Sequence, residues 1–528
     1  MAKITVDGKP IECKDGQNIL QACLDSDHYL PHYCYHPGLS IPASCRICLV
    51  EVDGINKLVP SCQTAIRDGM VVHSQSTKAV ANQKQVMEYL LINHPLDCPV
   101  CDQAGECHLQ DYSYKYGRSE SRFEEDKAKK PKKDIGDHIY LYSDRCIMCT
   151  RCVRFTREVA GTSELFVEGR GHREEIDIFP GKPCNNKLAG NVVDLCPVGA
   201  LLDKDFLFKQ RVWLLTDVPS ISPADSGGEN IYLDHNEGVV YRIRPRANQH
   251  VNKWWISDDS RYSYKILTDE RRLKKAMRKE HGAPVAAKFS EALGAAVAGL
   301  KSAAATGGLY VVLSPMMSCE EAWLLGKYIR SLDPQALLVL GPVPSTGQNE
   351  IFKNSITGKQ TFEIQAEKVP NAAGVRRVIS MLGGPSAQWN ELANHPQAGN
   401  LAGGWIVGGY HSSWTGSNIP AALTKGFRVL QDLLPSDFSD GVDVLLPVAA
   451  WAEKDGCWEN FAGIIQPFAA AIAPPEGVRR EGDVYLSLLG EKGMYKAETI
   501  RVQMGEPFAG ISLPVEHHHE PAMQFVEL

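Results

Sequence analysis

The sequence predicts a multidomain protein, α+β in its N-terminal third and α/β beyond it. Three observations carry that expectation. At 528 residues the chain is too long for a single core. Twelve residues at metal-ligand spacing, eleven of the fourteen cysteines there and one histidine, crowd into the first 200 positions. From about residue 275 onward, apolar strand-like segments alternate with helical ones, the pattern of a parallel sheet flanked by helices.

Composition is that of an ordinary folded protein, 44% hydrophobic and 23% charged. A formal net charge of −7 argues against nucleic acid as a partner, because phosphate recognition needs a basic surface. No run of about 18 apolar residues occurs, so membrane contact is expected only through partners. The opening MAKITVDGKP enters a strand pattern directly, without an apolar export segment or an Arg/Ser-rich transit stretch. In a reducing compartment, cysteines at this density favour metal ligation over disulfides. A bacterial cytoplasm fits best, with a processed organellar protein as the alternative.

Along the chain, residues 4–6 and 10–12 flank Asp7-Gly8, a hairpin signal. Residues 17–25 have helical spacing, 47–52 read as a strand, and a helical pattern over 78–93 ends before His94-Pro95. The charged segment 119–137, with five lysines, reads as a solvated loop. Short strands are expected at 212–216, 231–234 and 239–243. Further on, strands are expected at 309–313, 336–340, 378–382, 405–407 and 442–446, with a helix over EEAWLLGKYIRSL. Gly307-Gly308 and Gly403-Gly404 read as turns, and neither begins a G-x-G-x-x-G fingerprint.

The twelve ligand-type residues fall into three quartets. Cys34, Cys45, Cys48 and Cys62 are spaced C-x10-C-x2-C-x13-C. A [2Fe–2S] cluster needs four thiolates, and plant-type ferredoxins share the central C-x2-C. A zinc ribbon would want two such knuckles, and only one is present. His94, Cys98, Cys101 and Cys107 are spaced H-x3-C-x2-C-x5-C, which suits either a cluster with one imidazole ligand or Cys3His zinc.

The third quartet is a partly erased duplication. Two-cluster bacterial ferredoxins repeat C-x2-C-x2-C-x3-C-P, the last cysteine of each repeat serving the other cluster. Here Cys146, Cys149 and Cys152 are kept, Thr156 stands in the in-register fourth position, and the second copy keeps only Cys196-Pro197, with Asn186, Ala189 and Val192 in its other slots. One cross-ligated set therefore survives: Cys146, Cys149, Cys152 and Cys196, for one [4Fe–4S] cluster. Cys13, Cys23, Cys184, Cys319 and Cys457 read as packed thiols, and His517, His518 and His519 as a solvated tail.

The phrases YCYHPGLSIPASCRICLVEV, NHPLDCPVCDQAGECHLQDYSYKYG, DRCIMCTRCVRF and GNVVDLCPVGAL closely resemble the large iron–sulfur subunit (the G or 75 kDa type) of respiratory complex I, the proton-pumping NADH:quinone oxidoreductase. The resemblance covers most of the chain. It implies an N-terminal [2Fe–2S] ferredoxin β-grasp-like domain (1–78), a His(Cys)3-ligated [4Fe–4S] domain (79–118) and a bacterial-ferredoxin-like [4Fe–4S] domain (138–210). It further implies a degenerate entry region (211–268) and a degenerate molybdopterin-oxidoreductase-like scaffold (269–528), the last through VDVLLPVAAWAEKDGCWENFAGIIQ. No molybdopterin is expected.

Some members of the family carry one more [4Fe–4S] cluster, ligated C-x2-C-x3-C-x27-C. Here that spacing lands on Ser222, Asp225, Glu229 and Ser257, so this cluster is expected to be missing. By the resemblance the chain passes electrons from a flavin-bearing, NADH-binding partner towards iron–sulfur partners that lead to quinone. It would do so on the cytoplasmic side of the bacterial inner membrane, with no catalytic side chain of its own. The alternative is a component of an NAD-linked formate dehydrogenase or hydrogenase, which share the N-terminal module.

Overall fold

The computed structural model describes residues 2–414 and 419–513; His517, His518 and His519 lie outside them. The fold is mixed α/β, in two compact units. One holds the residues up to Leu215 together with Ile351–Phe362, the other Thr216–Glu350 and the residues from Glu363 onward.

The first unit opens with β1 (Ala2–Val6) and β2 (Lys9–Cys13), an antiparallel hairpin. Asp7 and Gly8 both have positive φ (47° and 82°), as the two-residue turn expected there requires. Helix α1 (Ile19–Asp25) is fixed by a capping box between Asn18 and Gln21. Strands β3 (Leu49–Val52), β4 (Val59–Pro60) and β5 (Val71–His73) complete a five-stranded sheet in the order β2-β1-β5-β3-β4, with β1 and β5 parallel. Ile4, Val6, Ile19, Leu20 and the thiols of Cys13 and Cys23 share its core.

Helix α2 (Thr77–Leu91) leads to the second quartet, and α3 (His108–Tyr116) leaves it. The segment 119–137 departs from the solvated loop expected. Arg122 pairs with Glu88, and Lys127 Nζ donates to the carbonyls of Leu91 (2.7 Å) and Ile92 (2.9 Å). That lysine satisfies carbonyls which the end of α2 leaves over. Lys132–Asp134 forms strand β6 against β7 (Ile139–Tyr142).

Helix α4 (Arg151–Phe155), the hairpin β8 (Leu165–Glu168) and β9 (Glu175–Ile178), and α5 (Asn191–Leu195) follow. Then β10 (Leu201–Asp203) pairs antiparallel with β7. That pairing returns the chain just beyond Cys196 to the strand just before Cys146. Cys184 is buried.

The strand expected at 212–216 starts later, at the beginning of the second unit. Val212–Leu214 is a 3₁₀ turn, and strand β11 starts at Thr216 (Thr216–Ile221). It forms a three-stranded antiparallel sheet with β12 (Asn230–Asn236) and β13 (Val239–Pro245), followed by the short helix α6 (Asp258–Arg261). Beyond it come β14 (Ala276–Glu280), β15 (Ala283–Ala287), α7 (Phe289–Ala304), β16 (Gly308–Leu313), α8 (Cys319–Leu332) and β17 (Leu337–Leu340). The ribbon of β18 (Glu350–Lys353) and β19 (Gln360–Ile364) falls mostly in the segment Ile351–Phe362 of the first unit, after which the second unit resumes with α9 (Ala372–Leu382) and β20 (Ser386–Gln388). The chain goes on through β21 (Leu401–Val407), β22 (Phe427–Asp432), β23 (Val444–Pro447), β24 (Gly456–Glu459) and β25 (Ile465–Phe468) to α10 (Glu481–Leu488) and α11 (Ala497–Met504).

The main sheet runs β15-β14-β23-β22-β21-β16-β17-β20, parallel from β23 to β20. Alternate residues of each strand face opposite ways. Leu309, Val311 and Leu313 meet α7, α8 and α9 on one face, while Tyr310 and Val312 meet Trp414, Leu423 and Phe438 on the other. The strand expected at 378–382 is the end of α9. Val375, Val378 and Ile379 are buried at helical spacing, and a five-residue apolar run cannot by itself distinguish the two. Gly403 and Gly404 lie inside β21 rather than in a turn; a Cβ on Gly404 would stand 2.5 Å from the Tyr310 ring. Gly308 likewise begins β16. Cys319 and Cys457 are fully buried in the helix-covered core.

A buried ion pair ties residues far apart in this unit: Arg272 donates to Glu453 through both Nη atoms at 2.7 and 2.8 Å, with both side chains 1% exposed. Removing one partner strands the other charge, so Glu453→Ala is expected to destabilise the second unit by about 3–5 kcal/mol. Denaturant unfolding of the purified chain checks this; a loss under about 1 kcal/mol, the size of an exposed pair, would contradict it.

Candidate metal centres

The first quartet occupies the loop between α1 and β3, with Cys62 just after β4. Cys34, Cys48 and Cys62 are buried and Cys45 is partly so. Their thiols form two hydrogen-bonded pairs, Cys34 with Cys45 and Cys48 with Cys62, and Cys34 is an electrostatic neighbour of Cys48 and Cys62 as well. The Cys45 thiol, with help from Ser44, pulls Cys34 down to about 5 against its burial. The Cys62 thiol pulls Cys48 down to about 7. Ala43 and Arg46 adopt positive φ (50° and 59°) on either side of Cys45, so the loop curls tightly there.

In the second quartet, Cys98 is exposed at a 3₁₀ turn, while Cys101 and Cys107 are buried, the latter capping α3. The three thiols are mutual electrostatic neighbours. Burial pushes Cys107 up to about 12, opposed by the backbone N–H groups of Gln110 and Leu109. His94 is half-buried, and burial together with Arg145 and Lys127 pushes it down to about 4. It is therefore neutral, the form that ligates metals. Its electrostatic neighbours are Arg145, Lys127 and Asp97.

Two residues that the spacing of ligands does not mark complete this centre. A Cβ on Gly199 would stand 2.2 Å from Cys101 Sγ, so only glycine fits. Arg145, itself buried, donates to Asp97 (3.0 and 2.7 Å) and to the Gly199 carbonyl (3.5 Å). The Gly199 requirement shows only in three dimensions, because it lies nearly a hundred residues from Cys101.

The third quartet is brought together fully. Cys146, Cys149, Cys152 and Cys196 line one cavity, whose walls are otherwise mostly apolar, including Leu141, Ile147, Ile176 and Val198. Each sulfur meets backbone N–H donors: Met148 for Cys146 (3.4 Å), Arg151 for Cys149, Val153 for Cys152, and Val198, Ala200 and Leu201 for Cys196. Positive φ at Met148 (53°) and Thr150 (60°) turns this loop between its cysteines. Burial pushes Cys146 up to about 12 and Cys149 up to about 11. Such thiols ionise only when a strongly cationic group binds, and metal binding then releases their protons. Soft sulfurs converging on one cavity, each with an N–H aimed at it, fit an iron–sulfur cluster.

A 2Fe-2S iron-sulfur cluster binding domain model matches residues 1–77, and an NADH-ubiquinone oxidoreductase-G iron-sulfur binding region matches 83–122. The ferredoxin-like domain of NADH-quinone oxidoreductase subunit 3 matches 136–202. The G subunit of NADH-quinone oxidoreductase from Rickettsia felis is 30% identical over 98% of this chain and 92% of its own length. The chain belongs to the family of NADH-quinone oxidoreductase G subunits. The corresponding G subunit from Rickettsia conorii is 42% identical over 56% of this chain and 44% of its own. The NADH-ubiquinone oxidoreductase 75 kDa subunit of Reclinomonas americana is 39% identical over 66% of the chain and 50% of its own. An NAD+-reducing [NiFe]-hydrogenase structure, 30% identical over 40% of this chain and 91% of its own, gives a TM-score of only 0.37 and carries no argument about the fold.

One more match bears on this member of the G-subunit family. A 4Fe-4S domain model of NADH-ubiquinone oxidoreductase NDSU1/NuoG-like proteins covers residues 215–265, where the four expected ligand positions hold no cysteine. In the structure these positions are buried and hydrogen-bonded. Ser257 donates to Glu229 Oε2 through its N–H (2.9 Å) and Oγ (3.2 Å). Ser260 Oγ lies 2.6 Å from Ser222 Oγ and 3.0 Å from Ser257 Oγ. Burial, with Asp225 nearby, pushes Glu229 up to about 8.

Two outcomes follow from these contacts. Gly199→Ala is expected to cost the second centre, lowering iron by about four atoms per chain, the content of one tetranuclear cluster; iron analysis with EPR of each signal reads this, and an intact spectrum would refute it. Glu229 holds in the fold a proton that the unfolded chain gives up above its ordinary carboxyl range. Its contribution to stability is therefore present in acid and is lost as pH rises from about 4.5 through about 8. Glu229→Gln should flatten the urea midpoint across that window, and an unchanged slope would show that this carboxyl does not set it.

Proposed function

We propose that this chain is the electron-transfer iron–sulfur subunit of a proton-translocating NADH:quinone oxidoreductase, holding one [2Fe–2S] and two [4Fe–4S] clusters. Cys34, Cys45, Cys48 and Cys62 would hold the binuclear cluster. His94, Cys98, Cys101 and Cys107 would hold one tetranuclear cluster, and Cys146, Cys149, Cys152 and Cys196 the other. The clusters, when bound, supply one-electron chemistry. The chain's own residues orient the thiols, exclude water from them and aim backbone N–H groups at the sulfurs. No side chain acts as acid, base or nucleophile.

What most supports this reading is the cavity in which Cys196 joins Cys146, Cys149 and Cys152 across more than forty residues of sequence. A zinc knuckle has no use for a fourth ligand recruited from the far end of a halved ferredoxin repeat. Electrons would enter from a flavin-bearing, NADH-binding partner and leave to iron–sulfur partners leading towards quinone. The complex would lie on the cytoplasmic side of the bacterial inner membrane. No helix among the described residues is long and apolar enough to cross a bilayer, so this chain would be held there by its partners.

The second unit reads as a degenerate molybdopterin-oxidoreductase-like scaffold. At the C-terminal ends of β16, β21 and β23 a small pocket is lined by Met316, Val407, His411, Trp451 and Lys454.

EPR of the assembled complex tests the ligand sets. Cys149→Ser and Cys196→Ser are expected to abolish or alter the same signal, and loss of two different signals would sink the cross-ligation. The purified chain should carry about ten irons, from one binuclear and two tetranuclear clusters, and no molybdenum; stoichiometric zinc in their place would overturn the proposal.

A further inference from the structure

One buried side chain spans two of these ligand loops. Arg154, on α4, is 3% exposed. Its Nη2 donates both to the carbonyl of Cys34 and to that of Cys149 (3.3 Å), one cysteine from the first quartet and one from the third. Its Nη1 donates to the Ser40 carbonyl, and its Nε to Thr150 Oγ1 (3.4 Å). Ser40 is held in turn by Glu158, whose carboxylate accepts from the Ser40 N–H (2.8 Å) and Oγ (2.6 Å). The guanidinium is an electrostatic neighbour of the Cys34 and Cys149 thiols. A fully engaged, buried arginine is costly, and the hydrogen bonds to backbone carbonyls are what let it remain there.

We propose that Arg154 is a positioning residue that couples the first and third centres. It fixes the Cys34 and Cys149 loops against one another through a single nitrogen, and its charge raises the reduction potential of both. Reduction adds one negative charge to a centre, and a cation in a poorly screened interior favours that charged state. With clusters held there, an electron passing between the two would oxidise one and reduce the other, with no bond formed or broken. The route through Cys34, the Arg154 nitrogen and Cys149 consists of covalent bonds joined by two hydrogen bonds. The inference rests on the ligand sets proposed above.

The test is an EPR-monitored redox titration of the assembled complex carrying Arg154→Gln or Arg154→Lys. In Arg154→Gln the potentials of the first and third centres should both fall. The second centre, outside the four hydrogen bonds of Arg154, should keep its potential and serves as internal reference. Arg154→Lys keeps the charge but cannot reach all its partners at once, so a smaller fall in the same two potentials is expected. If Arg154→Gln loses iron, Arg154→Lys carries the test alone. Movement of only one potential, of neither, or of all three alike overturns the proposal. Failure of the ligand sets would look different: Cys34→Ser and Cys149→Ser would then leave the first and third signals intact, whatever Arg154 does.

Discussion

A buried thiolate is tolerated only where positive charge and N–H donors surround it, and the first unit is organised around meeting that condition repeatedly. Its loops turn at left-handed residues such as Arg46, Met148 and Thr150, and the sulfurs of Cys101, Cys107 and the third quartet meet backbone N–H groups. Arginines are buried beside the ligands: Arg145 near Cys101, Arg151 near Cys149 and Cys196, and Arg154 between Cys34 and Cys149. Arg151 and Arg154 spend their hydrogen bonds largely on backbone carbonyls, Arg151 donating to those of Tyr35 (2.7 Å) and Leu195 (3.4 Å), whereas Arg145 donates mainly to the Asp97 carboxylate. Arg151 and Arg154 therefore stay near the sulfurs with no carboxylate among the acceptors of their own hydrogen bonds. Secondary structure in this unit is correspondingly short, because loops rather than helices supply free N–H groups.

This explains which parts could be read in one dimension. Ligand-type spacing is local, so three quartets are legible, and the register of Cys196 with an erased repeat marks it as the residue that lines one cavity with Cys146, Cys149 and Cys152. The Asp7-Gly8 hairpin and α2 are legible for the same reason, since turn chemistry and amphipathic period both act over a few residues. Gly199 and Arg154 are not. One is demanded by a sulfur 98 positions earlier in the chain (199 − 101), the other by a carbonyl 120 positions away. The buried arginines left a trace all the same: Arg151 and Arg154 sit in a cysteine-rich turn where nothing acidic stands beside them in sequence. The misread elements lie where local signals conflict. Residues 378–382 carry strand-forming side chains within a helical burial pattern, and Gly403-Gly404 mimics a turn while making room for Tyr310.

The second unit shows what such a fold does when the thiols are gone. Strands β11 to β13 form around Ile221, Ile231, Leu233 and Ile243, and Arg242 and Arg244 of β13 also pair with the buried Asp234 of β12. The four positions at that ligand spacing hold two hydroxyls and two carboxyls, Ser222, Asp225, Glu229 and Ser257; Ser257 donates to Glu229, and Ser260 hydrogen-bonds both Ser222 and Ser257. That exchange obeys the same electrostatic rule as the first unit, in reverse. Glu229 has no arginine among the groups that shift it; its neighbours there are Asp225 and two serines, and burial leaves it holding its proton at neutral pH. A neutral carboxyl can be buried beside hydroxyls with little penalty, whereas an ionised one would need the cation that the first unit supplies to its sulfurs. Charge supply thus separates the two units: arginines stand beside the quartets that keep their thiols, and a protonated acid fills the place that has lost them.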